Sequence, residues 1–286
     1  MARCGIDPPL PAQPRDPFPT LMKTNPRPLP FVLVSSGHGT MIVNRNDYCM
    51  VDDKRGYGVG HQIFESSYFD PQEVQLALDM LSLRRQVHGD GVVAIDGGAN
   101  IGVHTVEWAK HMHGWGKVIA VEAQERVFYA LAGNIAINNC FNATLHYAAL
   151  GAEEGSITVP MPDYLKPASF GSLELRQSAR NEFIGQTIDY SAAAGLPVKM
   201  ITIDGLGLNR LDFLKLDIEG MEVEGLAGAM KSIENYRPMM LIETIKTDRA
   251  VLKKLLDDYG YKQVQIGINV LAIHLGDPCL AHINFA

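Results

Sequence analysis

The chain has 286 residues, 47% of them apolar and 20% charged, with a formal net charge of −7. That length can bury roughly 75% of the surface of its extended form, enough for one large domain or two small ones with a full enzyme core. The acidic balance and the lack of any lysine- or arginine-rich block count against nucleic-acid binding, which needs clustered cations to neutralise phosphates. No apolar run is long enough to span a bilayer and no apolar leader opens the chain, so neither a membrane span nor secretion is expected. Cys4, Cys49, Cys140 and Cys279 are scattered with no CxxC pair, a pattern of reduced thiols, and the expected location is cytoplasmic.

Nine of the sixteen prolines fall within residues 1–30, which read as a poorly ordered tail. Residues 31–88 form an N-terminal extension. FVLVSSGHGTMIVNR predicts a hairpin around a glycine turn, and GYGVGHQIFESSYF (56–69) predicts a loop that folds over a ligand or packs on the core. Asp70-Pro71-Gln72-Glu73 is a helix-start signature with Asp70 as the cap, followed by Val74, Leu78 and Leu81 on one face. From residue 89 to 286 strands and helices alternate. VVAID is a strand, Val103–Met112 a helix, KVIAVE a strand, and Glu125–Asn138 a helix with Phe128, Leu131 and Ile135 inward. ATLHYAAL and SITVPM are strand-like, and an irregular insertion occupies about residues 155–200. DFLKLD is a strand and MEVEGLAGAMKSI a single helix with Val223, Leu226, Met230 and Ile233 inward. PMMLIETI is a strand, and Asp248 caps a helix with Val251, Leu252, Leu255, Leu256 and Tyr259 on one face. YKQVQIG and NVLAIHL close the chain as two strands. The alternation predicts a mostly parallel sheet with right-handed crossovers. The short turn between the last two strands forces one of them antiparallel.

The chemistry concentrates in VVAIDGGANIGVHT, residues 92–105. In an open α/β sheet, ligands bind beyond the carboxyl ends of the strands, at the switch point. Gly97 and Gly98 allow close backbone approach there, and Asn100 tolerates a left-handed conformation. The next strand ends in Glu122, placed to accept hydrogen bonds from ribose hydroxyls, so the ligand contains adenosine. A dinucleotide fingerprint would need glycine where Ala99 stands, and Asp96 would repel a pyrophosphate. The register Asp96-x-Gly98-x-Asn100-x-Gly102 resembles instead the first motif of S-adenosylmethionine-dependent methyltransferases, whose donor carries a sulfonium and an ammonium.

IDGGANIGVHTVEWA, VIAVEAQE, GNIAINN and above all FLKLDIEGMEVEGLAGA resemble the FkbM-type methyltransferases, with PMMLIETI and Gly260-Tyr261 in agreement, over about residues 90–275. The resemblance implies an α/β class I methyltransferase (Rossmann-like) three-layer sandwich. Its seven-stranded sheet is mostly parallel with an antiparallel C-terminal strand, here joined to the small hairpin and helix extension. It also implies O-methylation of a hydroxyl on a sugar, lipid or secondary metabolite. The alternatives are a nicotinamide-dependent oxidoreductase and a non-catalytic scaffold of the same fold. Glu122-Ala123-Gln124 departs from the family's usual Glu-Pro, which alters a turn and leaves the acid in place. The donor-binding set is then Asp96, Gly97, Gly98, Ala99, Asn100, Gly102, Glu122, Ala123 and Asp217. Candidate bases are Asp217 first, then Glu243 and His104, while Glu219 reads as structural beside the helix at Met221. No metal is expected, and Mg²⁺ held by Asp217 and Glu243 is the alternative. Lys215 calls for a carboxylate partner, either Asp217 or Glu243. Ser169, Ser172 and Glu174 in PASFGSLEL are candidates for the acceptor pocket. The sequence leaves the acceptor and the oligomeric state open.

Overall fold

The computed structural model describes residues 27–53, 55–179 and 181–283. The proline-rich tail therefore lies outside the described residues, apart from 27–30. A hairpin of β1 (Phe31–Ser36) and β2 (Gly39–Asn44) opens the fold, and β3 (Cys49–Met50) and β4 (Gly56–Tyr57) form a second small pair. Next come α1 (Val59–Ser66) and α2 (Pro71–His88). The stretch 56–69, expected as a loop, thus contains a helix. Its glycines serve close packing as well as turning: a Cβ on Gly60 would sit 2.6 Å from the Asn44 carbonyl oxygen.

The central alternation follows as β5 (Val92–Gly97), α3 (Val103–His111), β6 (Gly116–Glu122), α4 (Glu125–Ile137) and β7 (Ala143–Tyr147). ATLHYAAL breaks at Ala148. Its end, β8 (Ala149–Leu150), leaves the main sheet to pair with β10 (Gly195–Ile201), which also pairs antiparallel with β9 (Gly155–Pro160). The insertion, expected to be irregular, is rooted in this three-stranded side sheet. The chain returns through β11 (Phe213–Leu216), α5 (Glu222–Ala227), α6 (Met230–Tyr236), β12 (Met239–Glu243), α7 (Arg249–Asp258), β13 (Tyr261–Ile266) and β14 (Asn269–His274). The expected single helix at 221–233 is two. A Cβ on Gly228 would lie 2.1 Å from the Gly151 carbonyl oxygen, and the helix breaks where the chain passes that contact.

The main sheet has seven strands in the order β13-β14-β12-β11-β5-β6-β7. β12, β11, β5, β6 and β7 are mutually parallel, and β14 runs antiparallel between β12 and β13. This is the class I methyltransferase sheet that the resemblance implied. One apolar layer joins α2, α3 and α4 to the sheet through Leu81, Trp108 and Leu131, and the other joins α5–α7 through Leu226, Ile233, Leu252 and Leu256. Asp248 caps α7 as expected, accepting from Ala250 and Val251 N–H, but Val251 faces out, 47% exposed. The β1–β2 hairpin lies on α4, where buried Asn134 donates to the Ile42 carbonyl (3.2 Å). Among the described residues no helix is long and apolar enough to cross a membrane.

At the amino ends of β5 and β11 a buried ionic cluster ties the layers together. Asp212 accepts from Val93 N–H (2.9 Å) and from Arg210 (2.7 Å), and lies 3.3 Å from Arg84, which also pairs with Asp277. Breaking such a pair leaves an uncompensated buried charge at a cost of about 3–5 kcal/mol. Arg84→Met is therefore expected to lower the unfolding free energy measured by denaturant titration by that amount while leaving ligand affinity unchanged, since the cluster lies at the opposite end of the strands from the cavity described next.

Candidate functional site

The strand order reverses between β5 and β11, and a cavity of about 420 Å³ opens beyond their carboxyl ends. That is within the roughly 300–1,000 Å³ of small-molecule sites. The turn after β5 forms its floor. Gly98 takes φ +76°, and a Cβ there would lie 1.8 Å from the Asp217 carbonyl oxygen, so the bend presses on the exit of β11. The N–H groups of Gly98 and Ala99 both donate to the Val121 carbonyl at 3.0 Å. Asn100 is left-handed (φ 52°), which its short polar side chain tolerates. Asn134 donates to the Ile101 carbonyl (2.8 Å) and so clamps this loop to α4 and the hairpin. The sequence reading missed that role; its only signal was a polar residue on the buried stripe of a helix.

Gly98, Ala99, Asn100, Glu122, Ala123, His104, Asp217 and Glu243 all line the cavity, whereas Asp96, Gly97 and Gly102 do not. Those three support the floor from beneath. Asp96 is buried, with one oxygen accepting from the Thr105 hydroxyl (2.6 Å) and the other without a partner. Its charge helps to hold the Lys215 ammonium. Gly102 is needed for contact with α4, because a Cβ there would sit 2.5 Å from Leu131.

Glu122 ties two loops together. Its Oε2 accepts from Asn100 N–H (2.9 Å) and its Oε1 from Gln124 N–H (2.7 Å). Burial pushes its carboxyl up to about 7 against the lowering effect of those bonds. Each oxygen keeps a lone pair for a hydroxyl donor.

At the end of β11, Lys215 Nζ donates to Asp217 Oδ2 (2.9 Å), one of the two partners expected for it. Burial alone would lower the lysine, but Asp217, Asp96 and Glu73 outweigh it and hold the ammonium above its usual range. Asp217, the first candidate base, is thus engaged in an ion pair. Glu243, at the end of β12, differs. Its Oε1 accepts from Ile245 N–H, while its Oε2 is buried without a partner. Burial first, then the charges of Asp217 and Glu222, raise this carboxyl to about 7. His104 Nε2 lies 3.3 Å from Glu73 Oε1 without the alignment of a hydrogen bond. Burial acts to raise Glu73, but His104, Lys215 and a hydrogen bond from Asn269 (2.6 Å) hold it at about 2. Among the described residues the one group of three metal-type ligands is His88, Asp277 and Cys279, outside the cavity. With Asp217 bound to Lys215 and no third ligand gathered beside Glu243, Mg²⁺ at that pair finds no support.

The sequence reading missed the residues that close the cavity. Asp70 stands at the start of α2 but does not cap it: its backbone is left-handed (φ 36°) and its side chain takes no bond from the helix. Both acids of that signature, Asp70 and Glu73, line the cavity instead. Lys246 bridges Glu219 (2.6 Å), Glu182 (3.0 Å) and the Ser172 carbonyl (2.7 Å), and Tyr57 donates to Glu182 (2.8 Å). Glu219 therefore serves this bridge and not the helix that follows it. Ser169 and Ser172 line the cavity as expected; Glu174 does not, and instead accepts from Glu182 N–H (2.9 Å).

The family model for the Methyltransferase FkbM domain matches residues 96–262. Among curated proteins, Methyltransferase 1 of Beauveria bassiana (strain ARSEF 2860) is 24% identical over 183 residues, 60% of this chain and 73% of that protein. Methyltransferase sdnD of Sordaria araneosa is 22% identical over 191 residues, 58% of this chain and 72% of that protein. Among solved structures, Methyltransferase FkbM from Methylobacillus flagellatus KT is 18% identical with a TM-score of 0.43, covering 65% of this chain and 44% of that one. Similarity at this level carries over no substrate and no residue role.

Proposed function

The chain belongs to the FkbM methyltransferase family, and we propose that it transfers the methyl group of S-adenosylmethionine to a hydroxyl of a sugar, lipid or secondary metabolite. The family membership sets aside the nicotinamide-dependent alternative. The residues present fit the donor. The cavity is lined by seven acidic side chains against two lysines and one histidine, which favours a ligand of net positive charge such as the donor, whose sulfonium and ammonium outweigh its one carboxylate. Glu122 lies in its wall with lone pairs to spare for a ribose, and the bend at Gly98 adds no bulk. When bound, adenosylmethionine supplies an electrophilic methyl group. A hydroxyl acceptor must lose its proton as it is methylated, and a carboxylate with a pKa near working pH is suited to take it.

The observation that carries this reading is Glu243: nearly buried, raised to about 7, with one oxygen buried and unpartnered, on a residue that lines the same cavity as Glu122. Asp217, fixed by Lys215, helps to align the acceptor, which supplies much of the rate in an in-line displacement.

Calorimetric titration of the full chain with adenosylmethionine tests this. Saturable binding is expected, weakened roughly 10–150-fold in Glu122→Ala, the loss of a charge-assisted hydrogen bond of about 1.5–3 kcal/mol. No heat at millimolar donor would contradict it. Binding without methyl transfer to any hydroxyl would favour the scaffold alternative.

A further inference from the structure

The cavity has two walls of different origin. Residues 98–101 and 121–124 lie within the span shared with the family, whereas Tyr57, Gly58, Val59, Gln62, Phe69 and Asp70 come from the extension that precedes it. That second wall has no part in the proposed donor contacts, yet it faces the same space. Its most unusual member is Asp70. It holds a left-handed backbone at a helix start and forgoes the capping bond its position offers, an arrangement that costs stability and recurs at ligand sites. Its backbone N–H donates to Gln62 Oε1 (3.1 Å), which ties the Gln62 side chain to the start of α2. A second, independent sign of a ligand is Glu243, a nearly buried residue of the same lining whose Oε2 has no partner.

The charges in the lining constrain what fits beside the donor. Lys215 is bound to Asp217, Lys246 to Glu219 and Glu182, and His104 lies against Glu73. Among the described residues every cation of the lining is already paired with an acid, so a second anionic group beside the donor's own carboxylate finds no free cation there. An anion would meet carboxylates from Asp70, Glu73, Asp217 and Glu243 in a confined, poorly screened space. The rim is apolar, with Ile245 60% and Ile268 48% exposed.

We infer that the wall from Tyr57 to Asp70 is the acceptor subsite, and that it takes an uncharged hydroxyl-bearing molecule with an apolar body, anchored by a hydroxyl that donates to Asp70. Anionic acceptors, both carboxylic acids and phosphate esters, are rejected. This rests on the methyl-transfer reading above and adds the acceptor's charge and the residue that selects it.

The test uses full-length wild type and Asp70→Asn. Asparagine tolerates the left-handed backbone and keeps a hydrogen-bonding side chain, and the helix start does not depend on the carboxylate. Each protein is given methyl-labelled adenosylmethionine and a panel of apolar alcohols in matched sets: the alcohol, its phosphate monoester and the corresponding carboxylic acid. Donor affinity is measured separately by calorimetry. Wild type is expected to label neutral alcohols at least 100-fold more efficiently than either anionic partner. Asp70→Asn is expected to raise the alcohol KM at least 10-fold, with kcat and donor Kd within about threefold. Equal labelling of the anionic partners, an unchanged alcohol KM in Asp70→Asn, or donor binding with no alcohol labelled would each overturn the assignment. Absence of donor binding in wild type would instead overturn the methyl-transfer reading on which it stands.

Discussion

Glu243→Gln is expected to slow methyl transfer by roughly 10²–10⁴-fold, the usual contribution of a general base, while leaving donor affinity within about threefold. The amide keeps the shape of the side chain and can still accept from Ile245 N–H. It cannot take a proton. The pH profile makes the prediction specific. The carboxyl sits at about 7 because burial disfavours its charge, with Asp217 and Glu222 adding repulsion. A base must be ionised to act, so wild-type activity should fall as pH drops through the neutral range and level off above it. Donor bound nearby brings positive charge that favours the carboxylate, so the inflection under saturating donor should lie below 7. In Glu243→Gln that limb should vanish. A variant that is slow but keeps the wild-type pH limb would assign the base elsewhere, with Asp217 the next candidate.

Gly98→Ala should be the most damaging single methyl addition in the site. The position has φ +76°, which costs a non-glycine residue about 1–2 kcal/mol. The new Cβ would also fall 1.8 Å from the Asp217 carbonyl oxygen, a backbone atom that no side-chain rotation can relieve. Forcing the two loops apart adds about 1–3 kcal/mol, for a total of about 2–5 kcal/mol, with roughly 3 kcal/mol as a central value. In a chain of this size that corresponds to a fall in Tm of roughly 6–12 °C. Donor binding should be lost even where the chain still folds, because the bend moves with the clash. Gly207 is the control. It is left-handed (φ +63°) with nothing within 4 Å of a Cβ and lies outside the cavity lining, so Gly207→Ala should cost only about 1–2 kcal/mol and leave donor binding intact. Equal effects at the two positions would show that the conformation, and not the contact with Asp217, is what Gly98 provides.

The parts of the site written in short spans of chain were legible in the sequence. Asp96, the glycine bend and α3 form one strand–turn–helix unit, and Glu122 ends the adjacent strand, so local patterning places them together. A lysine in a buried strand calls for a carboxylate, which left Asp217 and Glu243 both open; the structure pairs Lys215 with Asp217, two residues on. The antiparallel β14 followed from the shortness of the turn before it.

What escaped depends on tertiary competition. Asp70-Pro71-Gln72-Glu73 reads the same whether Asp70 caps the helix or faces a cavity, and the choice is made by Gln62, His104 and Asn269, which come from three other elements. Glycines at 56–60 suggested a loop, yet Gly60 is small because a helix passes against the Asn44 carbonyl. The Lys246–Glu182 bridge joins residues 64 positions apart and has no local signature. The motif begins at Asp96 and so points to it as a ligand contact, but near the end of a buried strand its side chain lies under the bend, bonded to Thr105, and outside the cavity lining.

The central claim is that the methyl donor lies in the crevice between the Gly98 bend and Glu122. A crystal structure of the full chain with S-adenosylhomocysteine tests it most directly. The expected result is ribose hydroxyls within hydrogen-bonding distance of Glu122, with the sulfur facing Asp217 and Glu243. Ligand density elsewhere, or a crevice still closed by its own side chains at saturating ligand, would contradict the account.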